Sequence, residues 1–131
     1  MDHMTQVDTD NDMIKATKIF ITESRAEGGL AKWAEDQHEA SDEAAAIRLV
    51  LNDFELVSVS IQFGIMDYEF YKQYCHGTVK RYWEAAAPYI HALRQRKGRK
   101  TLFHEFEQLA CWIDKDLRPP KRYLWWRKYV A

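Results

Sequence analysis

SDEAAAIRLVLNDFELVSVSIQFG, residues Ser41 to Gly64, is the stretch whose reading decides the fold. Ser41 is a good helix N-cap, since its hydroxyl oxygen can accept an orphan backbone N–H. Asp42 and Glu43 put negative charge on the first turn, where the helix dipole is positive. Gly64 suits the left-handed position just past the last turn. Between these signals, Ile47, Val50, Leu51, Phe54, Val57 and Ile61 recur at helical spacing as one apolar stripe. Leu49, Leu56, Val59 and Phe63 form a second stripe on nearly the opposite side. A surface helix carries one stripe and a helix covered from two sides carries two. The pattern therefore predicts a central helix over 42–63 in a small all-α bundle of about five helices.

Upstream, residues 1–11 are polar and acidic and are expected to be a disordered segment, with a single helical domain over 12–131. Asp10 or Asn11 can cap a helix from about Asp12 that carries Ile14, Ile19, Phe20 and Ile21. Gly28 and Gly29 end it, and Leu30 to Ala40 reads as a short helix. Downstream, Asp67 caps a long helix over 68–97 with the stripe Tyr71, Cys75, Val79, Tyr82, Ala86, Ile90 and Leu93. Pro88 lacks the backbone donor and crowds the preceding turn, so a kink or break is expected there. Gly98 stops that helix, and Thr101 is the expected cap of a last one. The tail over 118–131 follows Pro119 and Pro120 and mixes basic and aromatic residues.

Hydrophobic residues make up 47% of the 131 and aromatics 14%, too many for a chain that stays unfolded. No secretory signal opens the sequence, and its longest uncharged run (between Glu55 and Asp67) is too short to span a bilayer. A cytoplasmic protein with no membrane contact is expected. Two cysteines, Cys75 and Cys111, do not make a disulfide framework and read as buried free thiols. Charge is split: 13 acidic and 5 basic side chains in residues 1–56, against 7 acidic and 14 basic in 57–131. Such a split gives the chain an acidic and a basic face, or lets the halves neutralise each other in one bundle or in a homodimer.

Catalytic signatures are missing. There is no H-E-x-x-H, no paired cysteine spacing, no G-x-S-x-G and no glycine-rich phosphate loop. Neither a cofactor nor a metal site nor an enzymatic activity is expected. Two basic clusters carry the binding signal instead. The first is Arg94, Arg96, Lys97, Arg99 and Lys100 within 94–100. The second lies in 118–128 and combines Lys121, Arg122, Arg127 and Lys128 with Trp125 and Trp126. Trp, Tyr and Arg dominate the energetics of protein interfaces, so another protein is the expected partner. The same residues also suit nucleic acid, through phosphate contacts and base stacking, and that is the alternative.

The motifs L-N-D-F-E at Leu51 to Glu55, G-I-M-D at Gly64 to Asp67, R-Y-W-E at Arg81 to Glu84 and P-Y-I at Pro88 to Ile90, with Arg94 beyond, add a resemblance. In them the chain resembles a bacterial and phage family of small helical domains of unknown function. That resemblance implies an α-helical fold and a prokaryotic or viral source, and it brings no activity or catalytic residue. A form without the membrane tether seen in relatives would fit a mobile-element or phage inhibitor that occupies a host protein surface, such as a defence nuclease complex. Within the matched motifs, Glu55 sits on a polar strip of the central helix, where Arg81 or Arg94 is its expected partner.

Overall fold

The computed structural model describes residues 2–122, with side chains over 10–122. It is all-α: helices α1 (Asp2–Ser24), α2 (Asp42–Gln62), α3 (Tyr68–Lys97) and α4 (His104–Lys115), with two 3-10 turns at Ala31–Ala34 and Asp36–His38. No strand occurs among the described residues. Nor is any described helix long and apolar enough to cross a membrane.

Local chemistry sets most boundaries. Ser41 Oγ accepts the Ala44 N–H at 3.1 Å and opens α2. Asp67 Oδ2 accepts the Phe70 N–H at 2.8 Å and opens α3. Gly64 has φ 76° and Gly98 φ 64°, each followed by an N–H reaching back to close the last turn, Ile65 to Ser60 at 2.9 Å and Arg99 to Arg94 at 3.1 Å. A side chain at either glycine would strain that left-handed backbone.

Several expectations are corrected. α1 begins at Asp2 rather than near Asp12. The short helix expected over Leu30 to Ala40 is instead the pair of 3-10 turns, split where Glu35 takes an extended backbone at φ −69° and ψ 146°. α3 runs through Pro88 without a break. Pro88 and Glu84 are exposed, so water can satisfy the freed Glu84 carbonyl, while buried Ala86, Tyr89 and Ile90 hold the helix on either side. Thr101 does not cap α4: the helix starts after Phe103, whose φ of 58° is left-handed and whose side chain is buried. The second stripe of α2 is not covered, because Leu49, Leu56 and Phe63 are all exposed. α2 is buried along one face only.

The chain divides into two compact units. The first comprises Met1–Asn52 and Ala85–Leu102. Its interior is built from Phe20 of α1, Leu30, Ile47 and Leu51 of α2, and Tyr89 and Ile90 of α3, each almost fully enclosed. Burial pushes the Tyr89 hydroxyl pKa up, while the nearby Arg48 guanidinium opposes that shift. The second unit comprises Asp53–Glu84 and Phe103–Ala131. Its centre is Phe106, fully buried, stacked on Phe54 at 4.4 Å and met edge-on by Trp83 at 5.4 Å. Tyr82 closes on Phe54 at 5.4 Å. Each such ring pair adds about 0.5–1.5 kcal/mol beyond the apolar area it buries.

Candidate functional site

The basic cluster 94–100 spans the last turn of α3 and its exit, and three of its five side chains are held by their own unit. Arg96 donates from Nε to the Ala34 carbonyl at 2.7 Å, and its terminal nitrogens reach Asp36 Oδ1 at 3.2 Å and Glu39 Oε1 at 3.5 Å. Lys97 Nζ meets Glu39 Oε1 at 2.7 Å. That bond first, and the charges of Lys97 and Arg96 after it, hold the Glu39 carboxyl below its ordinary pKa. Arg94 donates from Nε to the Leu102 carbonyl at 2.9 Å. These three side chains fasten the 3-10 turns and the α3 exit, which lowers their value as phosphate ligands. Arg99 and Lys100 are exposed and form no ion pair among the described residues.

A polar knot occupies the second unit where α2 meets the start of α4. Glu55 Oε2 accepts the Phe106 N–H at 2.5 Å, so the cap that α4 lacks in its own sequence comes from α2. Burial pushes the Glu55 carboxyl above its ordinary range; the Phe106 N–H opposes this, and the charge of neighbouring Glu105 adds to it. Burial thus outweighs the cap bond. Gln62, almost fully enclosed, donates to Glu105 Oε2 at 2.6 Å and to the Ser58 carbonyl at 3.2 Å. Its own Oε1 is buried without a partner among the described residues. Arg122 donates to Glu105 Oε1 at 3.3 Å. The Glu55 partner is therefore a helix N-terminus rather than Arg81 or Arg94.

The same unit exposes large apolar side chains. Ile65 is 81% exposed, Phe70 65% and Tyr74 69%, and Leu117 is also open. Phe70 and Tyr74 lie one turn apart on α3 with ring centroids 4.8 Å apart. Ile65, Tyr68, Pro119 and Pro120 line an open groove of about 510 Å³, whose lining also includes the charged residues Asp67, Glu69, Arg118 and Lys121. The start of α3 is tied to the end of α4 by the Tyr68 hydroxyl, which donates to the Leu117 carbonyl at 3.2 Å, and by the Lys72–Asp116 ion pair. Of the second basic cluster, Lys121 and Arg122 are exposed, whereas Trp125, Trp126, Arg127 and Lys128 lie outside the described residues.

Cys75 and Cys111 are free thiols, half-buried rather than enclosed. A second groove of about 460 Å³ has Cys111 on its wall with Trp83, Glu84 and Lys115. Glu35 and His38 have the Glu-x-x-His spacing of carboxylate-bridged metal sites, but Glu35 is the extended link between the two 3-10 turns and His38 ends the second, their side chains 4.0 Å apart. Among the described residues no group of three or more His, Cys, Asp or Glu is placed to hold a metal ion.

A family model described as a domain of unknown function (DUF4760) matches residues 1–112, and the chain belongs to that family. The motifs from Leu51 to Arg94 fall inside the matched span. No curated protein and no solved structure matches the chain.

Proposed function

We propose that this DUF4760 chain is a non-enzymatic protein-binding module whose contact surface centres on Ile65, Phe70 and Tyr74 of the second unit. The observation that carries the reading is the exposure of these side chains, each more than half open to solvent. Burying such surface is favourable at about 25 cal/mol per Å². Tyr is also among the residue types that dominate interface energies. The Phe70 and Tyr74 rings already touch at a tilt of 47° on one helix, so little side-chain freedom is lost on docking. The groove that Ile65 lines also carries charged residues, of the kind found at the polar rim of such contacts.

Nucleic-acid binding is the second reading. It rests on Arg99, Lys100 and Lys121, because Arg94, Arg96, Lys97 and Arg122 are engaged internally. Affinity capture from lysate with the native chain and a Phe70→Ser, Tyr74→Ser variant tests the first reading. A partner retained by the native chain and by an Arg99→Glu, Lys100→Glu variant, but lost from the aromatic variant, is the expected result. A partner lost only from the Arg99→Glu, Lys100→Glu variant overturns it.

A further inference from the structure

We propose that residues 123–131 dock back onto their own unit, in the groove between α3 and α4 that has Cys111 on its wall. At about 460 Å³ the groove falls in the size range of clefts that enclose an organic group. Its α4 wall is Glu107, Gln108, Cys111 and Asp114, which recur at helical spacing and so share one face. Its α3 wall includes Trp83 and Glu84. Trp83 stays only half-buried despite its contact with Phe106, which leaves aromatic surface for an occupant.

The place where the described chain leaves off chooses the occupant. Beyond α4 the chain is fastened to this unit at two points: the Leu117 carbonyl accepts the Tyr68 hydroxyl, and Arg122 donates to Glu105 Oε1 at 3.3 Å. Pro119 and Pro120 stiffen the stretch between them. Glu105 lies one turn of α4 before Gln108, so Arg122 delivers the chain to one end of the groove's α4 wall. Y-L-W-W-R-K-Y-V-A, residues 123–131, follows from that point. From Gln108 to Asp114 the wall is about 9 Å long, and a segment of this length covers about 14 Å as a helix or about 30 Å extended. Either form spans it.

Segment and groove also match in chemistry. Leu124, Trp125, Trp126 and Val130 gain by leaving water, and the indoles pack beside Trp83. The groove's carboxylates, on Glu84, Glu107 and Asp114, outnumber its ammonium groups, on Lys80 and Lys115. Arg127 and Lys128 bring the opposite charge. The short tether from Arg122 holds the segment at millimolar effective concentration, so modest contacts suffice to keep it docked. Docking withdraws Trp125 and Trp126 from base stacking and from any outside partner. It uses none of Ile65, Phe70 and Tyr74, so it stands or falls apart from the binding of another protein.

The two half-buried thiols report on this directly, because Cys111 lines the groove and Cys75 does not. The full chain is alkylated with iodoacetamide, and the rate at each cysteine is read by peptide mass spectrometry. Trp125→Ser with Trp126→Ser is expected to speed Cys111 at least several-fold and to leave Cys75 unchanged. Arg127→Glu with Lys128→Glu is expected to speed Cys111 as well. Negative charge near a thiol by itself disfavours the thiolate and slows alkylation, so acceleration in that variant reads exposure. Phe70→Ser with Tyr74→Ser is expected to leave the Cys111 rate at its native value. A Cys111 rate unchanged in both tail variants, or one that rises only in step with Cys75, overturns the proposal.

Discussion

The carboxylate of Glu55 on α2 caps the N-terminus of α4 by accepting the Phe106 N–H at 2.5 Å. This bond ties the end of one helix to a side chain of another and places Phe106, the buried centre of the second unit's ring cluster. The cap is supplied from a distance because Phe103, at the N-cap position, has no side chain that can accept.

Two substitutions separate the acceptor at this position from its charge. Glu55→Ala leaves the α4 N–H groups without a partner and is expected to cost about 1–2 kcal/mol in urea unfolding, the range for a lost helix cap. Glu55→Gln keeps an acceptor and removes a charge that burial disfavours, so it is expected to stay within about 0.5 kcal/mol at pH 7. Folding raises the Glu55 pKa above its ordinary 4.5, so the native chain holds a proton that the unfolded chain releases. This contribution to stability is therefore fullest below pH 4.5 and declines as pH rises through the folded value. The stability of the native chain relative to Glu55→Gln should fall across that window. A Gln variant as damaged as the Ala variant at pH 7 would assign the role to charge instead.

Gln62 is neutral where a carboxylate would be intolerable. Its amide nitrogen bonds Glu105 at 2.6 Å in an enclosed site. Gln62→Glu replaces that donor with a second buried negative charge and is expected to cost about 2–4 kcal/mol at neutral pH. Protonation should restore part of the loss near pH 4 to 5, read as a rise in melting temperature relative to the native chain. A variant equally stable at both pH values would contradict the packing of α2 on Glu105.

Arg96 is a structural arginine. Its bond to the Ala34 carbonyl holds the 3-10 turns. Arg96→Ala is expected to destabilise by about 1–2 kcal/mol because that carbonyl loses its donor. Asp36→Ala, which removes only an exposed partner, should change stability by less than about 0.5 kcal/mol. Equal effects in thermal melts would shift the weight from the carbonyl bond to the ion pair.

Ser41, Gly64, Asp67 and Gly98 were legible in the sequence because a cap or a left-handed turn is decided by the residue that sits there. The core stripe of α2 was legible for the same reason, through periodicity. The start of α4 was not, since its cap comes from Glu55, about fifty positions earlier, and Phe103 takes a backbone shape that sequence pattern does not favour. Two apolar stripes on one helix show that both faces are sticky, not which of them the fold covers; here Leu49, Leu56 and Phe63 remain outside. Charge density in 94–100 likewise does not reveal that Arg96 and Lys97 are already paired with Asp36 and Glu39.

The central claim, that the chain binds protein rather than nucleic acid, is tested most directly by titrating labelled single- and double-stranded DNA and RNA into the native chain. An Arg99→Glu, Lys100→Glu variant serves beside it, since those two side chains are exposed and form no ion pair among the described residues. At physiological salt the account predicts no binding at micromolar protein, and any low-salt binding should fall away linearly in log salt. Micromolar or tighter binding that survives physiological salt and is lost in the variant would contradict it.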